Sequence, residues 1–174
     1  MHTYQELDSF EYWSITDKDQ FSISVLKGLI MDAVRKANSG HPGGAMSSAD
    51  FIYLLFKDYL KFDPKDPNWF DRDRFILSGG HMSMLQYSIL HLVGWMKLSE
   101  IKKFRQLGSQ TPGHPEVEIP GVECTTGPLG QGFAMGVGMA LAEAYLSSLI
   151  SNDDKDSKKL IDHFTYVLAT DGDL

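Results

Sequence analysis

At 174 residues, with 43% hydrophobic and 22% charged side chains, the chain has the size and composition of one globular domain with a real core. Its formal net charge of −7 argues against nucleic acid or an anionic membrane as the main partner, so any anion site must be local. Cys124 is the single cysteine, which excludes an intrachain disulfide and fits a reducing, cytoplasmic setting.

Residues 1–16 read as an N-terminal extension, with Phe10, Tyr12 and Trp13 as docking points on a surface. They carry no basic start followed by an apolar run, so no secretory signal is expected, and no apolar stretch in the chain reads as long enough to span a membrane. From Asp17 the apolar positions Phe21, Val25, Leu26, Leu29, Ile30, Ala33, Val34 and Ala37 recur at three- and four-residue steps, the buried face of an amphipathic helix that Asn38, Ser39 and Gly40 end. Ser39-Gly40-His41-Pro42-Gly43-Gly44 then sets a histidine in a loop stiffened by proline. Ser47 and Asp50 resemble a capping box for a helix to about Leu60, burying Phe51, Ile52, Leu55, Phe56 and Leu60.

Arg74-Phe75-Ile76-Leu77-Ser78 reads as a short buried strand that stops at Gly79-Gly80, after which His81 opens a helix carrying Met82, Leu85, Ile89, Leu92 and Val93. Strand, glycines and helix in this order make an α/β unit, in which ligands collect beyond the carboxyl ends of parallel strands. A short helix from Ser99 to Leu107 leads to Thr111-Pro112-Gly113-His114-Pro115-Glu116. Thus three of the six histidines, His41, His81 and His114, share rigid Gly/Pro contexts, while His2, His91 and His163 read as structural or surface residues. Each of the three taken singly is equally readable as an exposed loop residue or a helix start.

Thr125-Thr126-Gly127-Pro128-Leu129-Gly130-Gln131-Gly132 permits a tight backbone path just ahead of a helix, where main-chain N–H groups favour an anion. It is also readable as an ordinary loop. The helix from Gln131 to Ser148 has Gly132, Gly136, Ala140 and Ala144 at four-residue intervals, a bare face for close packing within the chain or across a dimer. A charged loop, Asn152 to Lys159, precedes the strand His163 to Thr170, which delivers Asp171-Gly172-Asp173 at its end. A carboxylate there either holds a hard cation that also binds phosphate oxygens or makes a turn. Converging strand ends and a glycine-rich helix start together suggest a diphosphate and metal site.

Four of these motifs resemble the transketolases in order and spacing: Ser39-Gly40-His41-Pro42-Gly43, Asp71 to Ser78 with Gly80-His81, Thr111 to Glu116, and Thr125 to Gly132. The resemblance implies that residues 17–174 are the first part of a thiamine-diphosphate-binding domain, α/β with a parallel sheet flanked by helices. It implies cofactor contacts from His81, Gly127, Pro128, Leu129 and Gly172, and a Mg²⁺ or Ca²⁺ ligand in Asp171. It assigns His41 and His114 to the sugar hydroxyls and to proton movement, a task suited to imidazoles titrating near neutrality. The implied reaction moves a two-carbon ketol unit from a ketose phosphate to an aldose phosphate, in a homodimer.

The sequence departs from the family at Gly79, Met82, Gly44-Ala45, Thr170 and Asp173, and none of these removes an implied ligand. The family's asparagine pair for the metal and its cofactor-activating glutamate fall beyond Leu174, so the 174-residue chain alone is expected to be inactive, its remaining domains lying elsewhere or on a second chain. Dihydroxyacetone synthase shares the same motifs. A zinc hydrolase built on His41, His81 and His114, or a non-catalytic short chain, remains open at the level of sequence. Cys124 reads as a small filler beside Thr125.

Overall fold

The computed structural model describes residues 9–150 and 160–174; His2 and the charged loop predicted at Asn152 to Lys159 lie outside the described residues. Helix α1 (Ile15–Ala37) starts two residues earlier than its periodicity predicts, because the Ser14 hydroxyl accepts the Asp17 N–H at 3.1 Å. It ends where Asn38 turns left-handed at φ 49° and returns its N–H to the Arg35 and Val34 carbonyls. Ile23, Leu26, Ile30 and Ala33 form its buried line, and Phe21, Val25, Leu29, Val34 and Ala37 flank it half-buried. Two of the three aromatics expected to dock on a surface turn inward: Phe10 and Trp13 pack on each other and on Phe21, with ring centroids 5.2 to 5.8 Å apart. Tyr12 stays exposed.

The single helix expected from Ser47 to Leu60 is two pieces, α3 (Ala49–Leu54) and a π-helical turn at Leu55–Tyr59, and a separate helix α2 (Pro42–Ser47) ends where it was expected to begin. No capping box forms. The Ser47 hydroxyl donates back to the Gly44 carbonyl, and the Asp50 carboxylate pairs instead with Lys27 of α1 at 2.6 Å. The Pro42-Gly43-Gly44 segment expected as loop is helical, since proline suits the first turn, where its missing N–H costs nothing. Ile52, Leu55, Phe56 and Leu60 are buried as expected, whereas Phe51 is 53% exposed because the break at Ser48 rotates it off that face.

Strands β1 (Arg74–Leu77) and β2 (Thr165–Leu168) pair in parallel with Arg74 opposite Thr165 and Leu77 opposite Leu168. Alternation decides what each strand face covers. Phe75 and Leu77, with Tyr166 and Leu168 beside them, join the helical core of α1, α2, α3 and α4 (Ser83–Leu92), while Ile76 and Val167 meet the opposite helix α6 (Gln131–Ile150). At the amino end of the sheet the buried Asp73 holds both neighbours, accepting the Lys61 N–H at 2.8 Å and the Phe164 N–H at 2.7 Å. Arg72 grips Glu123 through two parallel bonds of 3.0 and 2.8 Å, tying this end to the loop before the glycine-rich stretch.

Between α4 and α6 the helix expected from Ser99 to Leu107 is only one turn, α5 (Leu98–Ile101), because the chain leaves helical geometry in turns and is left-handed at Arg105, φ 60°. Helix α6 sits on the sheet through its glycines. A Cβ at Gly132 would stand 2.7 Å from the Ser78 Cα, and one at Gly136 would stand 2.5 Å from the Val167 side chain. The second half of the small-residue stripe, Ala140 and Ala144, faces solvent. With Glu143 as its one charged residue, α6 is long and apolar enough to cross a membrane by length and composition, contrary to the expectation that no apolar stretch in the chain reaches that length. Its docking on both strands accounts for the apolar character of the packed side.

Candidate functional site

Because the strands end in register, residues 78–80 and 169–171 leave the sheet together, and the Ser78 N–H reaches the Leu168 carbonyl at 3.0 Å. The glycine-rich loop is laid across this edge. The Thr126 hydroxyl donates to the Leu77 carbonyl at 2.8 Å, and a Cβ at Gly80 would lie 2.7 Å from the Thr126 hydroxyl and 2.9 Å from the Gly127 nitrogen.

Asp173 holds the assembly, a role that sequence reasoning missed. Its Oδ1 accepts the Gly130 N–H at 2.9 Å and the Ser78 hydroxyl at 2.7 Å, and its Oδ2 accepts the Thr170 N–H at 2.7 Å and the Thr170 hydroxyl at 2.8 Å. Ser78 Oγ in turn accepts the Phe133 N–H at 2.9 Å, in the first turn of α6. Both strand ends, the loop and the start of α6 are therefore fixed through one carboxylate that is 6% exposed. Burial alone would push its pKa up, but the two N–H groups and two hydroxyls outweigh that and bring it down to about 2. The readable signal was Thr170 three residues ahead of Asp173, the spacing of a capping box, which forms here at the 3-10 turn Asp171–Asp173.

The three singled-out histidines gather at this edge. His41 stands at the N-cap position of α2 without a side-chain capping bond and lies edge-to-face with His81, their ring centroids 5.3 Å apart. The His114 ring lies beside the Gly127 backbone, where an added Cβ would be 3.5 Å away. Helix α4 carries the His114 loop: the Ser83 hydroxyl donates to the Gly113 carbonyl at 2.9 Å, and the buried Tyr87 hydroxyl lies 3.0 Å from both the Pro112 and His114 carbonyls. Loss of water around the His114 ring, and then the charge of Arg105 and the neighbouring His41 and His81, lower its pKa and favour the neutral imidazole. Burial and Glu116 push the Tyr87 phenol well above its usual range, so it stays a proton donor. Replacing Tyr87 with Phe is expected to cost roughly 1 kcal/mol in denaturant unfolding, since the part-buried Pro112 and His114 carbonyls then lose their shared donor.

His91 and His163 serve the scaffold, as expected: His91 Nδ1 lies 2.8 Å from the Met96 carbonyl and His163 Nδ1 lies 3.2 Å from Asp71. Cys124 is half-buried, and burial, with Glu123 next to it, pushes its thiol up and away from thiolate chemistry. Among the described residues no three His, Cys, Asp or Glu side chains converge as a metal centre, which leaves the trio His41, His81 and His114 without the geometry of a zinc site.

The edge suits a diphosphate. The N–H groups of Gly127 and Leu129 find no acceptor among the described residues, in a loop that Gly130, at φ 85°, turns into the N-terminus of α6. Asp171 and Gly172 are exposed, and Gly172 lies against the Leu129 side chain, so the second strand's end borders the same loop. Pro128 and Leu129 are exposed there too.

Residues 18–174 match the family described as "Transketolase, thiamine diphosphate binding domain". The chain is 55% identical over 159 residues to a transketolase of Staphylococcus epidermidis, a match covering 91% of this chain and 24% of that protein. It is 56% identical over 151 residues to transketolase 2 of Escherichia coli, covering 86% of this chain and 22% of that one. Among solved structures, a Pichia stipitis transketolase in complex with sedoheptulose-7-phosphate superposes with a TM-score of 0.83 at 48% identity, over 89% of this chain and 23% of that one. The Leishmania mexicana transketolase gives 0.84 at 43% identity, over the same 89% and 23%. The chain thus spans about a quarter of the length of these relatives, with 24% of the first. On the family match across residues 18–174 and the shared α/β fold, the chain belongs to the transketolase family, in its thiamine-diphosphate-binding domain.

Proposed function

We propose that the strand-end cleft of this chain holds thiamine diphosphate with Mg²⁺ or Ca²⁺ and serves the transfer of a two-carbon ketol unit from a ketose phosphate to an aldose phosphate. The observation that carries this reading is the convergence of His41, His81 and His114 with the glycine-rich loop on one edge. When bound, thiamine diphosphate supplies the electron sink for breaking and remaking a carbon–carbon bond next to a carbonyl. The free N–H groups of Gly127 and Leu129 bind diphosphate oxygens, Pro128 stiffens the loop between them, Gly172 lets the second strand end approach, and His81 contacts the cofactor. Asp171 is a metal ligand, one of several oxygens that such a cation requires.

His41 and His114 face the sugar hydroxyls. Each ketol transfer moves a proton off one hydroxyl and onto another, and a neutral His114 is already in the form that accepts one. Replacing either His41 or His114 with Ala is expected to lower kcat by about 10²- to 10⁴-fold, with cofactor affinity retained. The long apolar flank of α6, with Val137, Leu141, Tyr145 and Leu149 exposed, supports further domains or a second copy as its cover, in a cytoplasmic homodimer.

A coupled assay with ketose phosphate, aldose phosphate, thiamine diphosphate and Mg²⁺ tests the reading. The protein carrying the further three quarters found in its relatives should turn over. The 174-residue chain alone should not exceed an Asp171→Ala blank. A complete protein that binds the cofactor and transfers no ketol unit would overturn it.

A further inference from the structure

Arg105 stands in a backbone conformation that long side chains rarely adopt, φ 60°, and its N–H is committed to the Thr111 carbonyl at 2.9 Å. Such geometry persists where the surroundings hold it, and it aims the side chain between two loops. Nη1 donates to the Ser39 hydroxyl at 2.7 Å, two residues before His41. The other end of the guanidinium lies on the Gly113 backbone, one residue before His114, where an added Cβ would be 3.2 Å from Nε and 3.3 Å from Cζ. Phe104 stacks at 5.5 Å from Cζ, and Nε is buried without a partner. The Phe104 ring also closes on Gly40, where a Cβ would be 3.1 Å away. Arg105 and His114 both line an open cavity of about 680 Å³.

We propose that Arg105 is a positioning residue that sets the distance between the His41 and His114 loops across the sugar-facing cleft. The inference rests on the ketol-transfer reading for what the cleft binds, and on the structure for the bridge itself. Its two ends meet Ser39 and Gly113, each one or two residues from a sugar-facing histidine, so its loss acts first on the sugar and only through those histidines on the cofactor. A lysine keeps the charge but lacks the planar fork that reaches Ser39 while lying flat on Gly113.

Two variants of the complete protein, Arg105→Lys and Arg105→Met, test the proposal with three readouts: steady-state kinetics, thiamine diphosphate affinity and imidazole NMR. The expected result for Arg105→Lys is a KM for both sugars raised about tenfold with cofactor affinity within about twofold. The His41 and His114 imidazole signals should shift or broaden together while the His91 and His163 signals stay in place. Arg105→Met should do the same and also raise the His114 pKa, because its positive neighbour is gone. Cofactor affinity falling in step with KM, or all histidine signals changing together, makes Arg105 a general structural residue and overturns the proposal, as do unchanged KM and unchanged His41 and His114 signals. A complete wild-type protein without ketol transfer would instead defeat the functional reading, and the imidazole signals would still decide the role of Arg105.

Discussion

An Asp173→Ala variant is expected to lose roughly 3 kcal/mol of stability and most of its affinity for thiamine diphosphate. The carboxylate accepts four hydrogen bonds from Gly130, Ser78 and Thr170, and its removal leaves buried donors unpaired on both strand ends and on the loop. Asp173→Asn should do nearly as much harm, since an amide NH₂ must then face a donor. The pH dependence follows from the lowered pKa. A carboxyl that titrates at about 2 when folded and near its ordinary 3.8 when unfolded stabilises the fold fully above the unfolded value. That contribution fades as pH falls from about 4 through about 2, and the Asn variant should lack this part of the acid limb in urea titrations. An Asn variant with wild-type stability at pH 7 and an unchanged acid limb would show that the network carries no energy.

Gly80→Ala is expected to be the most damaging single methyl group in the site. The new Cβ would lie 2.7 Å from the Thr126 hydroxyl, 2.9 Å from the Gly127 nitrogen and 2.9 Å from the Thr126 carbonyl carbon. Two of these are backbone atoms that cannot rotate away, so the glycine-rich loop must lift from the strand end. Overpacking of this kind costs roughly 1–3 kcal/mol, and the displaced Gly127 and Leu129 N–H groups should weaken thiamine diphosphate binding at least about tenfold. The control is Gly138→Ala on the outer side of α6, where an added Cβ meets nothing within 4 Å. It should be neutral or slightly stabilising, because alanine is the better helix former. Equal calorimetric affinities for the two variants would contradict the close approach as the reason for glycine at position 80.

What could be read in advance was local and periodic. The three- and four-residue recurrence along α1 gave its buried line, and the apolar run at Arg74–Leu77 gave β1, because burial on one face writes itself directly into spacing. The histidines in Gly/Pro contexts and the glycine loop could be named because such residues punctuate the chain. What could not be read was long-range or broken. Nothing around Ser47 announces that Asp50 will choose Lys27 of another helix over its own cap, so the split of the 47–60 segment was invisible. Asp173 was passed over for Asp171 because its four donors come from residues as far as 95 positions away in sequence. Tyr87 and Arg105 were not singled out, because the carbonyls and the loop glycine they meet lie up to 27 positions away and leave no local pattern, although one hydroxyl and one guanidinium both contact the His114 loop.

The central claim, that the carboxyl ends of β1 and β2 form a metal-assisted diphosphate site, is tested most directly by titrating thiamine diphosphate into the complete protein by calorimetry, with Mg²⁺ and with chelator. The account predicts one saturable site per chain that needs the cation and is lost in Asp171→Ala, while the chemically similar but differently placed Asp71→Ala keeps it. Binding of equal strength with chelator present, or in Asp171→Ala, would contradict it.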